Sequence, residues 1–242
     1  MSMLPETNPV GVFSATHFIY LVFWFALIAV VAIIIYRKRL GEAKQDKINR
    51  ILAVVILVVM LAYRICVPMG YILIDHNEAY NWWVILPNGL CGFTCMILPI
   101  CTLIKPRNNA AYHCFVYLAL IGAVATIIYP VEYYKNYTFF HPYAFFGMLY
   151  HGLALMLCIL LITTKSFRPS LRKWWVMPLS YALILLFGAF ELYVLGIPHA
   201  MNLDRPLFDT LPILSSWYGC GICATLTSIL VSGIYELFQK RK

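Results

Sequence analysis

Four side chains that can carry chemistry lie inside apolar stretches of the sequence: Arg64, Cys91, His151 and Glu191. An ionisable group in hydrocarbon costs several kcal/mol unless it is paired or wetted, so each is a candidate functional residue. Arg64, Cys91 and His151 lie eight or nine residues from the nearer ends of their stretches, which places them about 12 to 14 Å deep. Glu191 lies about 6 Å deep by the same count. The spacing predicts a polar layer in the outer third of a membrane bundle.

Acyl transfer is the chemistry that these residue types allow together. A thiol attacks as its thiolate, and the imidazole of His151 can take the proton from Cys91. Arg64 or backbone N–H groups can stabilise the oxyanion, and Glu191 can orient the imidazole. At this depth the thiol would meet the ester carbonyls of phospholipids, which lie just below the headgroups. These residues therefore predict an acyltransferase or acyl hydrolase that acts on lipid acyl chains through a thioester.

Each of these residues also has a structural explanation. Arg64 can extend toward the interface or bind helix carbonyls, as readily as it can hold the phosphate or carboxylate of a ligand. His151 can be a neutral core histidine, and free cysteines often pack as small hydrophobic residues. Cys91 and Cys95 share a helical face and could bind a soft metal with His151, but we expect no metal and no cofactor.

Two alternatives to an enzyme stay open. The first is a small-molecule binding or transport subunit that uses Arg64 and Glu191 for recognition in an outer cavity. The second is a membrane subunit that docks a protein partner and has no chemistry of its own. Among ligands, the expected partners are membrane lipids.

Seven apolar stretches must position these residues. The 242 residues are 62% hydrophobic and 12% charged, which excludes a soluble globular protein. Runs of about 20 apolar residues without strand-like alternation are typical of membrane-spanning helices. The sequence therefore predicts an all-α, polytopic membrane helix bundle that forms a single domain over residues 1–242. The predicted spans are 16–36, 50–73, 83–104, 111–131, 142–164, 174–195 and 214–237.

The positions of the basic residues predict the orientation of the bundle. Fifteen of the 18 Lys and Arg residues lie in the segments after the first, third, fifth and seventh stretches. Short cytoplasmic segments retain positive charge, so we expect the N-terminus outside and the C-terminus in the cytoplasm, with the plasma membrane as the location. This asymmetry accounts for the net charge of +8. No nucleic-acid partner is expected.

Three short motifs resemble those of a known family. They are Leu86-Pro87-Asn88-Gly89-Leu90-Cys91, then Tyr150-His151-Gly152, then His199-Ala200-Met201-Asn202-Leu203 followed by Pro206. With the number and spacing of the spans, they resemble the YwaF-like integral membrane proteins, which look related to transmembrane protein 164 of animals. Bacterial members carry a histidine where this chain has Gly89.

The resemblance implies a bundle of six or seven helices. For the animal branch it also implies transfer of a fatty acyl chain between phospholipids by a cysteine and a histidine. His151 matches the histidine by position, and Cys91 is the cysteine of the first motif. Asn88 and Asn202, which lie within the motifs, are predicted with Arg64 to contact the substrate.

Overall fold

The computed structural model describes residues 13–38, 40–74, 76, 85–130, 139–204 and 216–240. These residues form seven α-helices and two short 3₁₀ turns, and they contain no β-strand. The helices are α1 (Ala15–Arg37), α2 (Glu42–Leu73), α3 (Leu90–Ile104), α4 (Tyr112–Ile128), α5 (Pro142–Thr163), α6 (Val176–Tyr193) and α7 (Trp217–Lys240). The prediction of a helical membrane bundle is confirmed.

Five of the helices are long and apolar enough to cross a bilayer: α1, α2, α5, α7, and α6 together with the 3₁₀ turn Leu171–Lys173. Helices α3 and α4 are shorter, with 15 and 17 residues. At 1.5 Å per residue α3 is about 22 Å long, less than the roughly 30 Å of a hydrocarbon core. Seven complete spans and the direction of the termini stay predictions.

Two helix starts differ from the predicted stretches by seven or eight residues. Helix α2 begins at Glu42 and not near residue 50, because the Lys- and Gln-containing segment before the apolar run has good helix formers. Helix α3 begins at Leu90 and not near residue 83, after a non-helical segment over residues 86–89. Pro87 lacks an N–H, and Gly89 takes an extended conformation at the N-cap (φ −113°, ψ 148°).

Helix α5 lies in the middle of the bundle. It packs mainly against α2 and α4 and also contacts α1, and α3 packs between α2 and α4. Helix α7 packs against α4 and α6. Helices α2 and α6 end, and helices α3 and α5 begin, at the same end of the bundle. We call this end the motif end, because residues 86–91 and 199–203 lie there. The opposite end, which carries residues 105–111 and 164–175, is called the basic end.

A glycine sets the distance between α1 and α5. A Cβ on Gly152 would overlap the ring of Trp24, which is only 3% exposed, whereas a Cβ on Gly233 in α7 would meet open space. We expect Gly152→Ala to lower the free energy of unfolding by about 2 kcal/mol, because overpacking forces the ring to move. Gly233→Ala should be neutral or slightly stabilising, since alanine favours helix. Thermal unfolding of both variants in detergent checks this, and equal melting temperatures would contradict it.

Polar side chains join the segments of the basic end to α2. Arg107 forms an ion pair with Asp46 (Nε to Oδ1, 2.7 Å) and donates a hydrogen bond to the carbonyl of Thr164 (3.2 Å). The buried Asn49 donates to the hydroxyl of Ser166 at 3.1 Å. These bonds fix the short segments that follow α3 and α5 against the first turns of α2.

Candidate functional site

Arg64 binds the segment that precedes α3. Its Nη1 donates to the carbonyl oxygen of Leu86 at 2.9 Å. A Cβ on Gly92 would lie 2.7 Å from Nη2, so the guanidinium lies directly against the first turn of α3. Non-helical backbone at membrane depth needs partners within the protein, and Arg64 provides one. Of the two roles open to Arg64, the structure describes the binding of a backbone carbonyl.

The start of α3 lies beside Arg64, nine residues before the end of α2. The depth of Cys91 in the bundle follows from the contact of α3 with Arg64 and not from a count along the helix. Cys91 is the second residue of α3 and not the ninth residue of a span. The neighbours of Arg64 and His151 also meet, because the rings of Tyr63 and Tyr150 are 5.3 Å apart. Arg64, the first turn of α3 and the middle of α5 are therefore neighbouring parts of one bundle interior.

The thiol of Cys91 points toward α4. Its sulfur would lie 2.8 Å from a Cβ on Gly122, and it is close to the hydroxyl of Thr126. Gly122 and Thr126 are one helical turn apart, so together they form a notch on α4 that receives the thiol. In the first hydrogen bond of α3, the N–H of Phe93 donates to the carbonyl of Gly89. The N–H groups of Cys91 and Gly92 come before this bond and have no acceptor within the helix.

His151 is buried, and its hydrogen bond defines which nitrogen carries the proton. Nδ1 lies 2.7 Å from the carbonyl oxygen of Gly147, one turn earlier in α5. A carbonyl only accepts, so Nδ1 is the protonated atom and Nε2 carries the lone pair of the neutral ring. The ring stacks on Tyr150 with centroids 4.2 Å apart. Nε2 is thus the atom that can take a proton, and a contact between it and the Cys91 thiol stays a prediction.

Glu191 is fully buried in α6, two residues before Tyr193, the last residue of that helix. Neither carboxylate oxygen has a hydrogen-bond partner among the described residues. Arg64 is close enough for its charge to act on this carboxylate. The predicted role of Glu191 in orienting His151 stays a prediction, and the electrostatic partner that the structure describes is Arg64.

The structure brings the first and third motifs together. The N–H of Met201 donates to the carbonyl oxygen of Asn88 at 2.6 Å, and the Met201 side chain is buried against Gly188 of α6. Asn202 donates its backbone N–H to the carbonyl of His199 within a 3₁₀ turn. Contact of Asn88 and Asn202 with a substrate stays a prediction, and Pro206 lies outside the described residues.

Several contacts of the site were missed from the sequence. They are made by Gly92, Gly122, Thr126 and Met201. A glycine inside an apolar helix is a signal of close approach, which could have indicated Gly92 and Gly122 but not their partners. Met201 has a positive φ of 48° and contacts Asn88 through its backbone N–H. The residue type methionine indicates neither feature.

Cys91, Cys95 and Cys158 carry free thiols. Within the described ranges no group of three or more His, Cys, Asp or Glu side chains is arranged to hold a metal ion. The alternative of a soft metal bound by Cys91, Cys95 and His151 therefore gains no support from the geometry.

Comparison with known proteins identifies the family of the chain. Residues 12–235 match the sequence profile of the TMEM164 family. No curated protein and no solved structure matches the chain. The match covers nearly the whole length and agrees with an integral membrane protein built from several long apolar helices. The chain belongs to the TMEM164 family.

Proposed function

We propose that this protein transfers fatty acyl chains between membrane lipids through a thioester on Cys91. The observation that carries the proposal is the start of α3 beside Arg64, deep in the bundle, which puts a half-buried thiol in the first turn of a helix. The resemblance of the motifs to proteins that use a cysteine and a histidine for this chemistry supports the same assignment.

The first turn of α3 supplies donors for the oxyanion. The N–H groups of Cys91 and Gly92 precede the first hydrogen bond of the helix and point along its axis. A negative charge is stabilised at a helix N-terminus, both by these donors and by the aligned peptide dipoles. An ester carbonyl that is attacked by the Cys91 sulfur places its oxygen near the N–H of the same residue, an arrangement that serine proteases also use.

The proposed reaction consists of two half-reactions. Nε2 of His151 takes the thiol proton, the sulfur attacks the ester carbonyl carbon, and the C–O bond to the lipid backbone breaks. The imidazolium returns its proton to the departing alkoxide, which leaves as a lysolipid. In the second half a hydroxyl of an acceptor lipid gives its proton to Nε2 and attacks the thioester, and the thiol is regenerated. Water as the acceptor gives hydrolysis.

Arg64 has two roles in this proposal. Through Leu86 it fixes the segment that leads into α3, and so it positions Cys91. Its charge at the motif end also favours the phosphate of a lipid headgroup, which Asn88 and Asn202 are predicted to contact as well. Glu191 balances this charge while no phosphate is bound.

Trapping of the acyl-enzyme tests the proposal. The full chain in proteoliposomes is supplied with phosphatidylcholine that carries an alkyne-tagged acyl chain. We expect a label on the protein that hydroxylamine removes, because thioesters are cleaved by this reagent. The label should be lost in Cys91→Ala and kept in Cys95→Ala, which removes a thiol one turn further along α3. Equal labelling of the two variants would contradict the assignment of Cys91.

A further inference from the structure

A shallow, open surface groove of about 430 Å³ lies on α2 at the basic end, away from Cys91. Its lining includes Asp46, Lys47 and Arg50 near the start of the helix and Ile51, Val54 and Val55 further along. These residues recur every three or four positions, so they form one helical face. The opposite face packs into the bundle, where Leu52, Ala53 and Ile56 are buried.

The charge on this surface is positive. Asp46 forms an ion pair with Arg107 at 2.7 Å, so the arginine in the segment after α3 neutralises the charge of this carboxylate. Lys47 and Arg50 are exposed, and residues three apart on a helix lie on adjacent turns. The two cations can therefore bind one phosphate together.

Directly beyond the two cations the surface becomes apolar. Ile51, Val54 and Val55 are 54%, 47% and 41% exposed. From Lys47 to Val55 the helix rises about 12 Å, which is long enough to receive the first part of an acyl chain. A cationic pair at the start of an apolar groove is complementary to a molecule with an anionic head and a hydrocarbon tail.

We propose that this surface is a binding site for an anionic phospholipid, with the phosphate on Lys47 and Arg50 and an acyl chain along Ile51, Val54 and Val55. The site is independent of the acyl transfer proposed above, since it shares no residue with it. A surface cation contributes about fivefold to the binding of anionic lipid, so the pair contributes about 30-fold.

Competition between lipids measures the affinity of this site for an anionic phospholipid. The full chain is placed in nanodiscs of phosphatidylcholine with increasing phosphatidylglycerol, and bound phosphatidylglycerol is followed by native mass spectrometry. Lys47→Gln with Arg50→Gln should weaken binding of phosphatidylglycerol about 30-fold. The matched control removes two exposed cations outside the groove at the same end, Arg172→Gln with Lys173→Gln, and should retain the wild-type affinity. Val54→Trp, which fills the groove and leaves the charge, should also weaken binding.

Four results would overturn the proposal. Equal loss in both double variants would mean that the attraction is spread over the whole basic end. Unchanged binding in the Lys47 and Arg50 variant would mean that the lipid binds elsewhere. Displacement of phosphatidylglycerol by 10 mM inorganic phosphate, or wild-type binding in Val54→Trp, would mean that the groove does not receive a lipid tail.

Discussion

His151→Asn is expected to lower acyl transfer by about 10² to 10⁴-fold, the usual contribution of a general base. Asparagine is the sharpest replacement, because its amide nitrogen can still donate to the carbonyl of Gly147 while the basic Nε2 is lost. The change therefore separates the loss of a base from the loss of a buried hydrogen bond. Transfer of a labelled acyl chain between phospholipids in proteoliposomes gives the rate.

Cys91→Ala should reduce the same rate to background, since no thioester can form without the sulfur. The matched histidine control is His113→Asn in α4, which replaces another buried histidine at the basic end. It should change transfer little, although it removes the ring that packs on Phe167. If His151→Asn turned over as fast as His113→Asn, the imidazole would have no part in the chemistry, whatever the outcome of the thioester experiment.

The helices themselves follow from the sequence because apolar runs bounded by charge or proline have few alternatives in a membrane. The predicted stretches 16–36 and 142–164 differ from α1 and α5 by one residue at each affected end. The start of α3 was missed because hydropathy does not distinguish an apolar segment without helical structure from a helix. Pro87 and Gly89 give local evidence of the break, but composition alone extends the helix through them.

The residue types of the site could be predicted from the sequence, but most of their partners could not. Arg64 binds the carbonyl of Leu86, and a backbone carbonyl is present at every residue, so no pattern of side chains indicates it. Cys91 meets Gly122 and Thr126 only because α3 packs between α2 and α4. The predicted contact of Glu191 with His151 stays a prediction, and the charge of Arg64 also acts on Glu191, which no pattern in the sequence indicates.

Arg64→Met is expected to lower the free energy of unfolding by about 2 to 3 kcal/mol, because it removes a charged hydrogen-bond donor to a backbone carbonyl. Two losses combine in this variant. The carbonyl of Leu86 loses its charged donor and keeps only the N–H of Asn88 (2.8 Å), and the carboxyl group of Glu191 loses the favourable charge of Arg64. Arg172→Met, which removes an exposed arginine at the basic end, should cost less than about 0.5 kcal/mol.

A double-mutant cycle separates these two losses. If Arg64 and Glu191 interact, Arg64→Met should cost less when Glu191→Gln is already present, by about 1 to 2 kcal/mol. The remaining cost then belongs to the carbonyl of Leu86, and Arg64→Lys should recover part of it because an ammonium can still donate. Steric trapping of the unfolded state in bicelles measures all four members of the cycle. Additive effects would show that Arg64 stabilises the start of α3 without help from Glu191, which would leave the buried carboxylate available for the proposed reaction.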